Sequence, residues 1–372
     1  MSRVAAEKPV TGRKRQRVTI ADVARLAGVA TMTASRALNR PEMVSEELKG
    51  RVLHAAAELD YIPDRAAGGL ASGAGLALPV LVPTLHHSVY VQILEGLEER
   101  LPGAGYQLLL GSTDYSQEKE ERLVEVFLGW RPSAVVLSGL DHSERTVRLL
   151  RASGIPVVEI MDLAVAGETP QALDLNIGFS HARVGAAVVD YLAGCGYRNV
   201  AYAGTLSEID PRSVRRIWGF QDALKRLGLP HHLIGRSDLP SSLAVGRDLL
   251  TGLLAEFPQV DAVFFANDEL AAGALFECLR RGIRVPEELA IMGFSDEEIA
   301  SHLYPALTTV RIPRHEMGRL AADLLLARLS GSPGSQPAQA QPPMPPLPID
   351  VGFEIVQRQT TRTPSIAAQE QP

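Results

Sequence analysis

The sequence predicts two folds in one chain: a small all-α head over residues 18–62 and a much larger doubly wound α/β body over residues 76–356. Three observations carry this. After residue 76, short apolar runs of strand length alternate with amphipathic stretches, the pattern of parallel sheets covered by helices. Residues 18–62 hold three helical patterns with start signals and no strand-like run. Between the two, "PDRAAGGLASGAG" (63–75) shifts abruptly to alanine and glycine and reads as a hinge helix and linker.

The 372 residues, 46% of them hydrophobic, are enough for one small and one or two larger domains with full cores. No apolar run approaches the roughly 18 residues of a membrane span, and the basic N-terminus precedes no apolar signal region. A cytoplasmic protein with no membrane partner is expected. Cys195 and Cys278 are far apart, without a CxxC or a nearby histidine pair, so they indicate neither a disulfide framework nor a zinc site. Both are expected to be buried packing residues.

The net charge of −6 is uneven: residues 1–65 carry twelve Lys/Arg against eight Asp/Glu, a balance of +4, and the remainder sums to −10. A basic head on an acidic body fits a phosphate-binding module joined to a domain that does not bind nucleic acid. Residues 1–17 read as a flexible basic tail and residues 357–372 as a polar one. The polar tail has no leucine heptad that would suggest a tetramerising helix.

Within the head, Thr19 and Asp22 form a capping box at the start of an apolar stripe of Ile20, Val23, Ala24 and Leu26. Gly28 then permits a tight turn, after which Ala34, Ala37 and Leu38 share one helical face. Ser45 followed by Glu46 and Glu47 starts a third helix, with Leu48, Val52, Leu53 and Ala56 on its inner side. Two helices joined by a short glycine-containing turn and braced by a third form a helix-turn-helix. Its second helix leaves Thr31, Met32, Thr33, Ser35 and Arg36 outward, where early residues of such a helix meet base edges in the major groove. Hydroxyls suit phosphate oxygens, and an arginine pairing bidentately with guanine discriminates by about 1–3 kcal/mol.

In the body the strand candidates are "LALPVLVP" (76–83), "YQLLLGS" (106–112), "SAVVLSG" (133–139), "IPVVEIM" (155–161), "NVAYAG" (199–204), "DAVFFAND" (261–268) and "LAIMGF" (289–294). Helical patterns cover 90–101, 116–130, 180–195, 213–227 and 269–281. Ligands of such folds sit at the carboxyl ends of strands, here Pro83–Tyr90, Ser138–His142, Glu159–Asp162, Asn267–Asp268 and Ser295–Asp296. Residues 330–348 are low-complexity and cannot form a packed core. They precede one last strand candidate, "IDVGFEIV" (349–356). An enzyme would need a nucleophile with its base, paired catalytic carboxylates or a metal set, and His231 and His232 beside isolated cysteines supply none. No catalytic or metal-binding residue is assigned, and no cofactor beyond a small-molecule effector is expected.

The stretch "VTIADVARLAGVATMTASRALNRPEMVSEELKGRVLHAAAELDYIPDRAAGGLA" (18–71), followed by "FFANDELAAGAL", "VPEELAIMGFSD" and "PALTTVRIP", resembles the LacI/GalR family of bacterial transcription repressors. The likeness covers roughly residues 18–330 and the last strand. Within the family, "RPSAVVLSGLDHS", "PVVEIMD" and "NDELAAGALFECLRRGIRVPEELAIMGF" are similar to the branch containing gluconate-utilisation repressors.

The resemblance implies that Thr19, Thr33, Ser35, Asn39 and Ser45 hold phosphates, that Thr31 and Met32 read bases, and that Arg36 contacts guanine. It implies that Leu70 wedges into the minor groove and that the small Ala67 lets two hinge helices approach. It further implies a two-lobed effector domain resembling periplasmic sugar-binding proteins, a homodimer on a near-palindromic operator DNA, and release by a small molecule. Arg216 in "RIWGF" matches the family's ligand-anchoring arginine and Asn267 a hydrogen-bonding position. Ser295 in "GFSD" stands where an aspartate is usual, which lowers repulsion toward an acid and favours a gluconate-type effector. Thr84, His87 and Tyr90 after the first strand, Ser138 and Asp141 after the third, and Glu159 and Asp162 after the fourth complete the candidate effector contacts. The alternative is a different effector, a neutral sugar or a purine-like corepressor. Ala30 departs from the serine common before the recognition helix, so that helix is expected to lack its side-chain cap.

Overall fold

A computed structural model describes residues 18–39, 41–61, 76–85, 88–205, 210–330 and 347–364. The chain divides into two compact units, Met1–Gly75 and Leu76–Pro372.

In the first unit, α1 (Ile20–Ala27), α2 (Thr31–Asn39) and α3 (Glu46–Glu58) pack around Val23, Ala24, Ala27, Ala34, Ala37, Val52, Ala55 and Ala56. The start of α1 is fixed by Asp22, whose carboxylate accepts from both the backbone N and the hydroxyl of Thr19, at 2.9 and 2.7 Å. Its end is set by Gly28 in the left-handed region (φ 64°), which lets Val29 N reach back to Ala24 O. Arg51 Nη2 donates to Ala27 O at 2.6 Å and ties α3 to that turn. Leu26 and Leu53, expected inside, are exposed, and Ala27 and Ala55 take their places. Alanines let three short helices approach more closely than leucines would. The carbonyl of Ala30 receives the amides of Thr33 and Ala34, which makes Ala30 the N-cap of α2.

The second unit is built on two six-stranded sheets. The first contains β1 (Ala77–Val82), β2 (Gln107–Ser112), β3 (Val135–Ser138), β4 (Val157–Ile160) and β5 (Leu175–Gly178). The second contains β6 (Val200–Thr205), β7 (Ile234–Ser237), β8 (Ala262–Phe265), β9 (Ala290–Ser295) and β10 (Thr308–Arg311). The order is β2-β1-β3-β4-β5 in one and β7-β6-β8-β9-β10 in the other, all parallel, each reversing direction of growth beside its first strand. Strands such as β1 and β8 are buried along almost their whole length because helices cover both faces, hence their continuous apolar runs.

Helices α4 (Val91–Arg100), α5 (Gln117–Gly129) and α6 (Glu144–Ser153) follow strands of the first sheet. Helices α7 (His181–Gly194), α8 (Pro211–Arg226), α9 (Leu243–Glu256), α10 (Asp268–Arg281) and the short α11 (Glu298–His302) belong to the second lobe, and α12 (Arg314–Ser330) returns to pack on the first. The segment expected as one strand over 349–356 is two. β11 (Ile349–Asp350) joins the first sheet beside β5, and β12 (Glu354–Val356) lies antiparallel to β10 in the second. The break, at Gly352 with φ 66°, is where the chain crosses between lobes. β5, β7 and β10 and helices α6, α9 and α12 were not expected individually. The three strands are only four residues each and carry polar residues. Cys195 and Cys278 are both buried, and no helix among the described residues is long and apolar enough to cross a membrane.

One close approach determines where the ligand-facing helix lies. A Cβ on Gly219 of α8 would stand 2.0 Å from Ala182 O, and one on Gly185 of α7 would stand 2.1 Å from Arg216 O. The two backbones touch, and any side chain between them would move the start of α8. Gly219→Ala is therefore expected to lower stability by about 1–3 kcal/mol, read as a lower melting temperature, whereas Gly103→Ala, with nothing within 4 Å of the new Cβ, leaves it unchanged within about 0.5 kcal/mol.

Candidate functional site

The carboxyl ends of both sheets open onto a cavity of about 350 Å³ between the lobes. The first lobe contributes Thr84, Tyr90, Asp114, Tyr115 and Met161. The second contributes Thr205, Ser241, Asn267, Phe294 and Ser295, together with the first turns of α8. Among the described residues, seven that are not glycine adopt positive φ, and four of these, Asp114, Tyr115, Met161 and Ser295, line this cavity. Backbone strain gathers where function is expected to lie.

The first two turns of α8 carry the charge. Asp210 caps the helix and accepts from Arg212 N and from the Ser213 hydroxyl, at 3.3 and 3.2 Å. Its carboxylate also pairs with Arg212 Nε at 3.0 Å. Arg212 Nη1 then crosses the cleft to the Tyr90 and Ser138 hydroxyls at 2.9 and 3.0 Å. Arg215 grips both oxygens of Asp141, at 2.7 and 2.8 Å, and Asp162 Oδ2 at 2.7 Å. Arg216 is different. Its Nη1 donates to His181 Nδ1 at 2.9 Å and its Nη2 to the Ser213 hydroxyl at 3.2 Å, while its guanidinium carbon lies 4.4 Å from the Phe294 ring centre. Its Nε, buried, has no partner.

Several expected effector residues lie on the cavity wall: Thr84, Tyr90, Arg216, Asn267 and Ser295. Asn267 caps α10 by accepting from Leu270 N and donates to the Ser241 hydroxyl, which in turn bonds Thr205. Ser138 and Asp141 line a neighbouring compartment of about 340 Å³ that shares Tyr115 and Arg212 with the first. Two expectations are corrected. Glu159 lies inside β4 rather than beyond its end, fully buried, with its carboxylate taken by Leu173 N at 2.6 Å and facing His142 at 3.3 Å. Asp162 is also fully buried and reaches the cleft only through Arg215. Both support the wall from behind. His87 lies outside the described residues.

On the head, Thr31, Met32 and Thr33 occupy the first turn of α2, Ser35 and Arg36 the next, and Asn39 ends it. Met32 is 67% exposed and Arg36 is exposed. Ser45 caps α3 by accepting from Leu48 N, which leaves its hydroxyl proton for an outside acceptor. Thr19 is corrected: its hydroxyl proton goes to Asp22, so it has none to give a phosphate. Ala67 and Leu70 lie outside the described residues.

Arg212, Arg215, His181 and Phe294 were missed. The spacing of Arg212 and Arg216, four apart in "RSVRR", puts both on one helix face and could have signalled the pair. His181 offers no comparable signal, because its importance comes from the partners that folding brings to it.

Electrostatics divides the two buried histidines. Burial, then the guanidiniums of Arg216 and Arg212, push His181 well below its ordinary range, so it is neutral. Burial would also lower His142, but hydrogen bonding to Glu120 at 2.8 Å and the charges of Glu120 and Glu159 outweigh it and raise it to about 10. The folded state therefore holds this proton more tightly than the unfolded chain. That contribution is full below pH 6.5 and is lost as pH rises toward 10. The melting-temperature gap between wild type and His142→Gln is expected to be at least about 4 °C at pH 6, the effect of roughly 1–2 kcal/mol, and to close near pH 10.

Residues 19–64 match the family described as bacterial regulatory proteins, lacI family, and residues 189–361 match the periplasmic binding protein-like domain. The chain is 40% identical to the HTH-type transcriptional regulator GntR of Pseudomonas aeruginosa over 346 residues, spanning 93% of this chain and 96% of that protein. A LacI-family transcriptional regulator from Silicibacter pomeroyi has a similar structure, with a TM-score of 0.82 at 34% identity, covering 92% of this chain and 99% of that one. The lac repressor dimer bound to operator and an anti-inducer matches at a TM-score of 0.75 and 25% identity, over 94% of this chain and all of that one. The chain belongs to the LacI family of bacterial regulatory proteins, a transcriptional regulator with a helix-turn-helix head and a periplasmic-binding-protein-like effector domain.

Proposed function

We propose that this regulator represses genes of sugar-acid catabolism, binding a near-palindromic operator as a homodimer and leaving it when a gluconate-type acid enters the cleft. The observation that carries the choice of ligand is the set of partners around Arg216. Arg212 and Arg215 each face carboxylates at ion-pair distance, whereas Arg216 meets only an imidazole, a hydroxyl and an aromatic face. Asp210, paired directly with Arg212, is shared with Arg216 through charge alone, and a ligand carboxylate that meets this buried guanidinium directly is held strongly. Ser295 supports the same reading, because it places a neutral side chain in the wall where an aspartate would repel an acid. The cavity, about 350 Å³, is within the range of small-ligand sites. For the head, the exposure of Met32 and Arg36 on the early turns of α2 supports reading both as groove-facing residues.

The direct test uses an operator selected by the purified protein from a randomised DNA pool. Fluorescence anisotropy follows its binding with gluconate, 2-ketogluconate, 6-phosphogluconate, glucose and ribose. An acid is expected to weaken operator binding at least tenfold while glucose and ribose leave it unchanged. A neutral sugar that acts where no acid does overturns the reading. Arg216→Met should abolish the response to acid and leave operator affinity within about threefold.

Arg36→Ala should cost about 1–3 kcal/mol on the selected operator and relax preference at one guanine. An equal loss on every sequence would instead assign Arg36 to phosphate.

A further inference from the structure

We infer that His181 is a positioning residue for the ligand's anionic group: as a neutral ring protonated on Nε2, it fixes the Arg216 guanidinium without cancelling its charge and ties it to the backbone of the opposite lobe at Met161. The inference rests on the reading of the cleft as an acid-binding site and specifies how that site keeps its charge.

His181 is the first residue of α7, buried, at the point where the chain leaves the first sheet for the second. Its Nδ1 stands 2.9 Å from Arg216 Nη1 and its Nε2 stands 2.9 Å from Met161 O. A guanidinium donates and cannot accept, so Nδ1 must present a lone pair. A carbonyl accepts and cannot donate, so Nε2 must carry the proton. Of the three protonation states of imidazole, one satisfies both partners. A charged ring would aim an N–H at an N–H of Arg216.

The surroundings oppose that charge. Arg216 and Arg212 face the ring from α8, Asp210 at the head of that helix opposes them, and Phe179 and Phe294 pack at centroid distances of 4.5 and 6.3 Å. An aspartate or glutamate in this place would orient Arg216 equally well but would neutralise it. A histidine accepts the same N–H and leaves the positive charge for the ligand.

The second bond explains how occupancy can be felt across the cleft. Met161 is left-handed (φ 68°), lines the cavity and directly precedes Asp162, which holds Arg215 of α8. The start of α8 therefore grips the loop after β4 twice, through His181 and through Arg215. An anion that draws Arg216 toward itself draws on this loop.

Three variants and one spectrum test the inference. His181→Gln keeps an acceptor and a donor, His181→Leu keeps bulk only, and His181→Glu keeps the acceptor but adds a negative charge. In calorimetric titrations with gluconate, His181→Leu is expected to bind about tenfold more weakly, and His181→Glu at least as weakly, while His181→Gln stays within about threefold of wild type. Wild-type affinity in His181→Leu, or in His181→Glu, overturns the proposal. The spectrum is that of the ¹⁵N-histidine-labelled full chain, with the His181 signals identified by their loss in His181→Gln. They should report a bare Nδ1 and a protonated Nε2 from pH 8 to pH 6. An imidazolium or the opposite tautomer overturns the proposal whatever the ligand is and however the leucine variant folds. A wild-type protein that shows the expected tautomer but binds no acid overturns the acid reading of the cleft and leaves the link between Arg216, His181 and Met161 standing.

Discussion

The structure of the cleft depends on three arginines at the start of one helix, Arg212 and Arg216 buried and Arg215 half-buried. Taking a guanidinium out of water costs several kcal/mol unless its charge and its N–H groups are met. α8 solves this separately for each. Arg212 takes Asp210 from its own turn and two hydroxyls from the opposite lobe; Arg215 takes two carboxylates from that lobe. Arg216 receives neutral partners only. The first two sets hold the lobes together, and the third leaves one positive charge facing the cavity. Geometry this specific needs α8 fixed against α7, and the backbone contact at Gly185 and Gly219 fixes it.

Behind the wall the charges run the other way. Glu120 and Glu159 flank a protonated His142, and Asp162, raised to about 7 by burial against the opposing pull of Arg215, sits behind Arg215. These groups account for why Glu159 and Asp162, which read as ligand contacts in the sequence, are engaged by protein groups in the structure. They lie in a layer that positions the arginines, and the low dielectric there rewards pairing with protein groups over waiting for a ligand. Asp268 plays the corresponding part in the second lobe. It accepts from Glu297 N and from the Thr309 hydroxyl beneath the left-handed Ser295 and Asp296, and so holds Ser295 at the cavity.

The fold was legible in the sequence because its evidence is local and repeated. Apolar runs such as "DAVFFAND" and start signals such as Thr19–Asp22 and Ser45 each fix an element within a few residues. The strands that escaped notice were short and polar, as in the four residues of β7, or changed allegiance midway, as in the run from Ile349 to Val356 whose two ends pair in different sheets. The site was legible only in part. Arg216, Tyr90 and Asn267 could be placed from strand ends and family motifs. His181 could not, because its two partners come from opposite lobes, 20 and 35 residues away in sequence. Leu26 and Leu53 show the same limit in the head, where helical period admits more than one inward face and packing distance chooses the alanines.

A ligand shifts an equilibrium between lobe arrangements only by the difference in its affinity for them. In this cleft the difference has a definite source. Arg216, Phe294 and Asn267 belong to the second lobe and Thr84, Tyr90 and Tyr115 to the first, so a ligand between them would contact both. The ion pairs of Arg215 already favour one arrangement without any ligand, so binding energy is not consumed in bringing the lobes together. What remains for the ligand is the charge on Arg216, whose hydrogen bonds go to neutral groups and which shares the nearby Asp210 with Arg212. A neutral sugar of the same shape could fill the cavity and touch both lobes, but it would leave that charge as it found it. On the proposed acid-binding reading, the discrimination between acid and neutral ligand originates at this guanidinium.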